Sequence, residues 1–294
     1  MRLLGVSESR RVLRVIIDGA RDPRMNMALD EALARARERK NFDTLRIYMW
    51  LPSGVSIGRR QKVEDTVYLD EIRRRGYVLV RRPTGGAALL HPQDKELTYS
   101  IVLSKDDPLY KLDVSSSAAK IAEAIAHTIN ILLKSEGGSS YDEIYSASVR
   151  GLSETSDISS AGFCYINPGS SDVMIRGRKI SGSAQRRDWG SLLQHGTILL
   201  KYDPEDFLSV LRVSDDDKRD VFEKIAGLSD FIKDLSLQDL IDNLIRSFEK
   251  VLKYDHVFIG GFDLDEIVLA KKLFDIKYSS EKWIFYGEDL YGEV

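Results

Sequence analysis

The sequence predicts a chain that mixes strands and helices, an α/β or α+β class, and ends in a helical C-terminal region. Three observations carry this. Short alternating or apolar runs bounded by turn residues recur up to residue 200, which is strand patterning. One segment, Ser115 to Lys134, places Ile121, Ile125, Ile129 and Leu132 on a single helical face. After Pro204 the strand signals become few, and residues 204–212, 215–226, 237–252 and 264–274 read as helices. The character of the chain therefore changes at about 203–205, dividing residues 1–203 from a mainly helical 204–294.

The elements follow in order. Residues 12–17 (VLRVII) read as a buried strand. Asp22 is placed to cap a helix, with Pro23 tolerated in its first turn. Leu29, Ala32, Leu33 and Ala36 then share one face. Residues 45–50 and 55–58 read as strands, Asp65 to Arg75 as a helix stopped by Gly76, and 77–82 as a strand. That strand runs into the turn Pro83-Thr84-Gly85-Gly86, and 97–103 returns as another. Gly137 to Ser171 is rich in Ser and Gly and reads as a long mobile stretch, with one short strand near Tyr145. Residues 173–176 and 179–187 read as strands around a turn at Gly177, followed by a strand over 191–200.

Composition narrows the function classes. The chain has 294 residues, 43% hydrophobic and 30% charged, enough for a substantial core in one large or two small domains. With 43 basic and 46 acidic residues the net charge is −3, which does not suit a general nucleic-acid binder. No apolar run approaches the length of a membrane span, and Met1 to Arg14 lacks a signal core. The single cysteine, Cys164, excludes an internal disulfide and a thiol-rich metal site. A soluble cytoplasmic protein, in a compartment where a reduced thiol persists, is the expectation.

Three stretches have the chemistry for a site. In Arg81-Arg82-Pro83-Thr84-Gly85-Gly86-Ala87, followed by His91, twin glycines let backbone amides approach a ligand, and the arginines supply charge for an anion. The same residues also suit a plain hairpin turn. It is not a P-loop. In Gly177 to Gln185, Lys179 stands beside Ser181, Gly182, Ser183 and Ala184. A lysine here can polarise a carbonyl or hold a carboxylate, or it can be a solvated residue on an edge strand. Strict alternation puts Lys179, Ser181 and Ser183 on one face and Ile180, Gly182 and Ala184 on the other. Cys164 lies among Ser, Asn, Pro and Gly rather than in an apolar periodic run, which weakens a core role, and a nearby ammonium would favour its thiolate. The four histidines show no metal-ligand spacing, so no metal is expected. His127 reads as partly solvated and His256 as a surface residue. Arg73-Arg74-Arg75 is the solvated end of a helix, and Arg186-Arg187 is either similar or a docking surface for an acidic partner.

Taken together these stretches resemble the lipoate/octanoate–protein ligase and transferase family over most of the chain. Asn26 to Leu33 looks like its first helix, Arg81 to Gly86 with His91 like its glycine loop, and Gly177 to Arg186 like its most specific motif. Leu193 to Leu200 and Tyr278 to Trp283 match two further motifs in the expected order. Cys164-Tyr165-Ile166-Asn167-Pro168 stands where one octanoyltransferase branch carries its nucleophile. Glu96 to Ser100 also resembles the transferase form. Departures are Ala87 for a third glycine, Arg59-Arg60 before Gln61, and Gly169 to Asp172, of which Asp172 is similar to the ligases.

The resemblance implies a biotin/lipoate protein ligase-like catalytic domain with mixed, largely antiparallel sheets, formed by residues 1–203. It implies octanoyl transfer from octanoyl-acyl carrier protein, through an acyl-cysteine, to a lysine of a lipoyl domain such as glycine-cleavage H protein or an E2 subunit. Cys164 and Lys179 are then the catalytic pair. Arg82, Thr84, Gly85, Gly86, Ala87, His91, Gly182, Ser183 and Ala184 form the substrate site, and no cofactor is needed. The alternative is an ATP- and Mg-dependent lipoate ligase, in which Cys164 is a bystander. A non-catalytic lipoyl-domain binder stands third.

Overall fold

The structure is a computed structural model that describes residues 10–135, 144–146 and 171–293. Strand β1 (Val12–Arg21) leads into helix α1 (Pro23–Ala36), which returns the chain to strand β2 (Asp43–Trp50), parallel to β1. The Asp22 carboxylate accepts the Arg24 amide and Pro23 occupies the first helical position, so α1 starts where the sequence places it. Next come β3 (Gly54–Ile57), α2 (Val63–Thr66), α3 (Leu69–Arg74), β4 (Val78–Arg81) and β5 (Leu89–His91). Then follow β6 (Glu96–Ser104), α4 (Pro108–Lys111), α5 (Val114–Ser135), β7 (Ile144–Ser146), β8 (Val173–Ile175), β9 (Arg178–Asp188) and β10 (Ser191–Leu199). The last part carries α6 (Pro204–Val210), α7 (Asp215–Glu223), α8 (Leu237–Leu252), β11 (His256–Ile259) and α9 (Leu264–Leu273).

Eight of these strands form one sheet in the order β11-β1-β2-β6-β10-β9-β8-β7. Pairing is parallel from β11 to β2 and antiparallel from there to β7. Strands β4, β3 and β5 form a second, small sheet. Alternation along the central strands divides the main sheet into two faces. Leu13, Val15, Leu45, Ile47, Tyr99 and Ile101 pack against α5 and α8. On the other face, Ile16, Val102 and Leu193 meet Leu33 and Ala34 of α1. The small sheet lies on this second face as well, since Trp50 of β2 stacks on His91 of β5.

Two expectations change. The single helix expected over 65–75 is two short helices, because Val67 bridges Leu211 and the Tyr68 amide bonds to the Val210 carbonyl. Backbone drawn into a tertiary bridge cannot also continue a helix. The helical region after Pro204 contains a strand, β11, whose register on β1 pairs Val12 with His256. The strand exists through its pairing with β1, a partner far away in the chain that no local pattern reports. The region also shares the main core: Leu240, Leu244 and Phe248 of α8 join the cluster under the sheet.

Candidate functional site

A narrow cavity of about 60 Å³, partly open to solvent, lies between the two sheets on the face away from α5 and α8. Its walls follow from topology. Tyr48 and Trp50 of β2, Thr98 of β6, His195 and Thr197 of β10, and Gly182 and Ala184 of β9 line it from the main sheet. Ser56 and His91 line it from the small sheet, and Arg82, Gly86 and Ala87 from the turn between β4 and β5.

Lys179 is 1% exposed and lines this cavity, so it is not a solvated edge-strand lysine. Its ammonium lies 2.7 Å from an Asp172 carboxylate oxygen, and both side chains are buried. The backbone holds it from both sides: the Lys179 amide donates to the Lys224 carbonyl at 2.7 Å, and the Lys179 carbonyl accepts from Ala226 at 3.0 Å. Simple alternation had put Lys179 and Gly182 on opposite faces, but they are neighbours. Met174 pairs with Lys179 while Val173 pairs with Ser181, so two steps of β9 pass one step of β8. This bulge turns Lys179 toward Gly182. A Cβ on residue 182 would sit 2.8 Å from Lys179 Cε and 3.2 Å from Asp172 Oδ1. A side chain there would push the Lys179 ammonium out of this position.

The glycine loop is gripped by arginines. Arg82 donates to the carbonyls of Gly85 (2.6 Å) and Ala87 (2.7 Å), and Arg186 donates to that of Pro83 (3.0 Å). Gly86 has φ +85°, and a Cβ on it would meet Arg82 Nη2 at 2.8 Å. The neighbouring Arg81 has a different task. Its guanidinium is buried and donates to the carbonyls of Gly58, Arg59, Gln61, Trp283, Ile284 and Phe285. It anchors the C-terminal segment and offers no charge to a ligand.

Of the substrate residues read from sequence, Arg82, Gly86, Ala87, His91, Gly182, Ser183 and Ala184 are on the cavity wall together with Lys179. Thr84 and Gly85 are not among the lining residues. Thr84 is fully buried behind the loop, and its hydroxyl lies 2.7 Å from His195 Nε2. Gly85 is exposed. Cys164 lies outside the described residues.

The sequence reading missed the polar residues beneath these groups. Asp30 on α1 is fully buried and accepts from Arg46 (2.8 Å), Ser100 (2.8 Å) and Tyr48 (2.8 Å). His195 Nδ1 lies 3.0 Å from the same carboxylate. Burial alone would raise the Asp30 pKa, but the His195 hydrogen bond and the Arg46 charge outweigh it and hold the group below its usual value. His195 is shifted down, chiefly by burial, with Asp30 opposing and Arg82 and His91 adding to the fall. On the far wall, His91 stacks on Trp50 with 3.8 Å between ring centroids and bonds Ser56 (2.8 Å) and Glu96 (2.8 Å). A carboxylate in a helix surrounded in sequence by Met27, Ala28, Leu29, Ala32 and Leu33 was the signal available for Asp30. Asp172 was visible only as a departure from the transferase pattern.

A buried lysine, a glycine loop and a largely apolar slot suit acyl chemistry, and the comparisons agree. The lipoyl protein ligase A/B catalytic domain matches residues 22–249. The chain belongs to this family. It is 33% identical over 288 residues to octanoyltransferase LipM of Geobacillus kaustophilus, covering 94% of this chain and 99% of that protein. It is 38% identical over 277 residues to octanoyltransferase LipM of Kyrpidia tusciae, covering 92% and 97%. Among solved structures, it resembles the bipartite lipoate protein ligase of Thermoplasma acidophilum, with a TM-score of 0.76 and 29% identity over 95% of this chain and 98% of that one. It also resembles a lipoate-protein ligase A bound with ATP, with a TM-score of 0.76 and 30% identity over 92% and 98%. The family membership read from the five motifs is borne out, as is the mixed α/β fold with packed helices and a helical C-terminal region.

Proposed function

We propose that this protein is an octanoyltransferase that moves an octanoyl group from a carrier-protein thioester, through Cys164, to a lysine of a lipoyl domain. The observation that carries the reading is the buried Lys179, lining an apolar slot across from a glycine loop, in a chain whose relatives are octanoyltransferases over nearly their whole length. The Cys164 thiolate attacks the thioester carbonyl, the carrier thiol leaves and takes a proton, and an acyl-cysteine remains. The acceptor amine then attacks this second thioester, the cysteine sulfur leaves, and the amine proton is released. Thioester exchange followed by amide formation runs downhill without ATP, and no cofactor is invoked.

Lys179 favours the thiolate by its charge and faces the carbonyl oxygen as it becomes negative. Burying the seven methylene and methyl groups of an octanoyl chain in the slot contributes on the order of 5 kcal/mol. Acyl carrier protein as donor, and glycine-cleavage H protein or an E2 subunit as acceptor, fit this chemistry. A cytoplasmic setting suits the single reduced thiol. Among the described residues, no helix is long and apolar enough to cross a membrane. The test is intact mass after mixing with octanoyl-carrier and no acceptor. The expected result is one octanoyl adduct on the wild type and none on Cys164→Ala; full transfer by Cys164→Ala would end the covalent route.

A second reading, an ATP-dependent lipoate ligase, is favoured by the fold similarity to ligases and by Asp172 beside Lys179. Free lipoate with Mg-ATP and an apo carrier decides it: AMP release coupled to lipoylation identifies the ligase.

A further inference from the structure

The glycine loop must stay in place over the cavity for any acyl group to be held between it and β9. Three side chains tie residues 83–87 down. Arg82 does so from within the loop's own stem, Arg186 from β9, and His195 from β10. The third tie is built differently from the other two. It ends on the Thr84 hydroxyl instead of a carbonyl, and it continues inward to a buried carboxylate.

We infer that Asp30 and His195 are positioning residues that fix the Thr84 hydroxyl, and with it the glycine loop, in register with the acyl cavity. The proton directions follow from the inventory of donors. A carboxylate can only accept, so His195 Nδ1–H donates to Asp30 across 3.0 Å. A neutral imidazole then has its lone pair on Nε2, which accepts the Thr84 proton across 2.7 Å. Asp30 is in turn oriented by Arg46, Ser100 and Tyr48, so the imidazole has one tautomer and one ring orientation. The relay meets the loop at Thr84, which does not line the cavity. It acts through the loop. Among the described residues, the charged and titratable groups acting on His195 are Asp30 from α1, Arg82 beyond β4 and His91 from β5, with Arg46 and Tyr48 of β2 bound to the same Asp30 carboxylate. Burial, Arg82 and His91 favour the neutral ring, and Asp30 opposes them. Protonation removes the Nε2 lone pair, reverses the bond to Thr84 and releases the hydroxyl proton to point elsewhere.

The inference rests on the acyl-transfer reading, and the experiment separates the two. Octanoyl transfer from octanoyl-carrier is measured from pH 5 to 8 for wild type, Thr84→Ser, Thr84→Val, His195→Gln and the double variant Thr84→Val/His195→Gln, with thermal unfolding of each. The expected result is a roughly tenfold rise in KM for the acyl donor in Thr84→Val with a smaller change in kcat, and recovery of most of the loss in Thr84→Ser. Both His195 variants lose the acid limb of the pH profile, and the double variant is no worse than the poorer single one, because the two side chains act as one unit. Multiplied losses in the double variant, or a Thr84→Val enzyme with wild-type KM and pH profile, overturn the inference. If the wild type fails with the thioester and instead ligates lipoate with ATP, the octanoyl reading fails. The same ratios in the ligase assay, with lipoate as the acyl donor, then decide the positioning claim by the same criteria.

Discussion

Two buried lysines invite comparison. Lys179 and Lys277 are 1% and 0% exposed, and each meets a buried carboxylate. Around Lys277 everything is closed. Its ammonium bonds Glu31 at 2.9 Å and Asp289 at 2.5 Å and lies 4.1 Å from the Trp283 ring centroid, while the Tyr278 hydroxyl donates to the same Glu31. This cluster fastens the C-terminal segment to α1. Around Lys179 the structure leaves room: Gly182 withholds a side chain, and a cavity opens in front of the ammonium. A buried ion pair is therefore no mark of chemistry by itself, because both lysines are buried against a carboxylate. The empty space beside the charge separates a site from a fastening.

The comparison is broken most severely by exchanging which property each lysine loses. Lys179→Met is expected to lower kcat for octanoyl transfer by about 10²–10³-fold, the size of losing one oxyanion donor, with the fold retained by circular dichroism. Wild-type turnover would place the chemistry elsewhere. Lys277→Met should do the reverse. Glu31 keeps Arg35 at 2.8 Å but loses its second cation, and Asp289 loses the ammonium, which costs about 1.5–3 kcal/mol of stability, read as a lowered denaturant midpoint, while activity per folded molecule stays near wild type. A Lys277 variant that melts normally would mean the cluster is not a fastening.

Gly182→Ala sharpens the contrast without touching a charge. The new methyl displaces the Lys179 side chain, and transfer should fall by up to about 100-fold, as for a misplacement of about 1 Å, with little change in melting temperature. The smallest effect concerns pH. His195 has a folded pKa below its ordinary 6.5, so the unfolded chain takes up its proton first as pH falls. Stability is full above about 6.5 and declines as pH drops from there through the folded value. His195→Gln should flatten this part of the melting-temperature profile between pH 7 and 5. An unchanged slope would assign it to other groups.

Much of this was open to a reader of the sequence, and the failures are specific. Asp22-Pro23 set the start of α1, and the isoleucines at 121, 125 and 129 set the buried face of α5, because capping and periodicity are local. Lys179, Gly182 and the glycine loop were found as a motif. The facing of Lys179 was not, since strict alternation assumes an unbulged strand, and the bulge depends on how β8 meets β9. Arg81 and Arg82 look equivalent in sequence, yet one cages carbonyls of the C-terminal segment and the other holds the loop. Thr84 was assigned to the substrate site and is instead turned to His195, 111 residues away.

The sequence alone determined the order of elements, the family, and which short stretches carry reactive side chains, because these depend on neighbours within a few residues. The tertiary structure decided which buried charges face a cavity and which are sealed. It also brought Asp30, Thr84 and His195 into one line. Those outcomes depend on strand pairing and on the packing of one sheet over another, which join positions far apart in the chain and leave no local pattern to read.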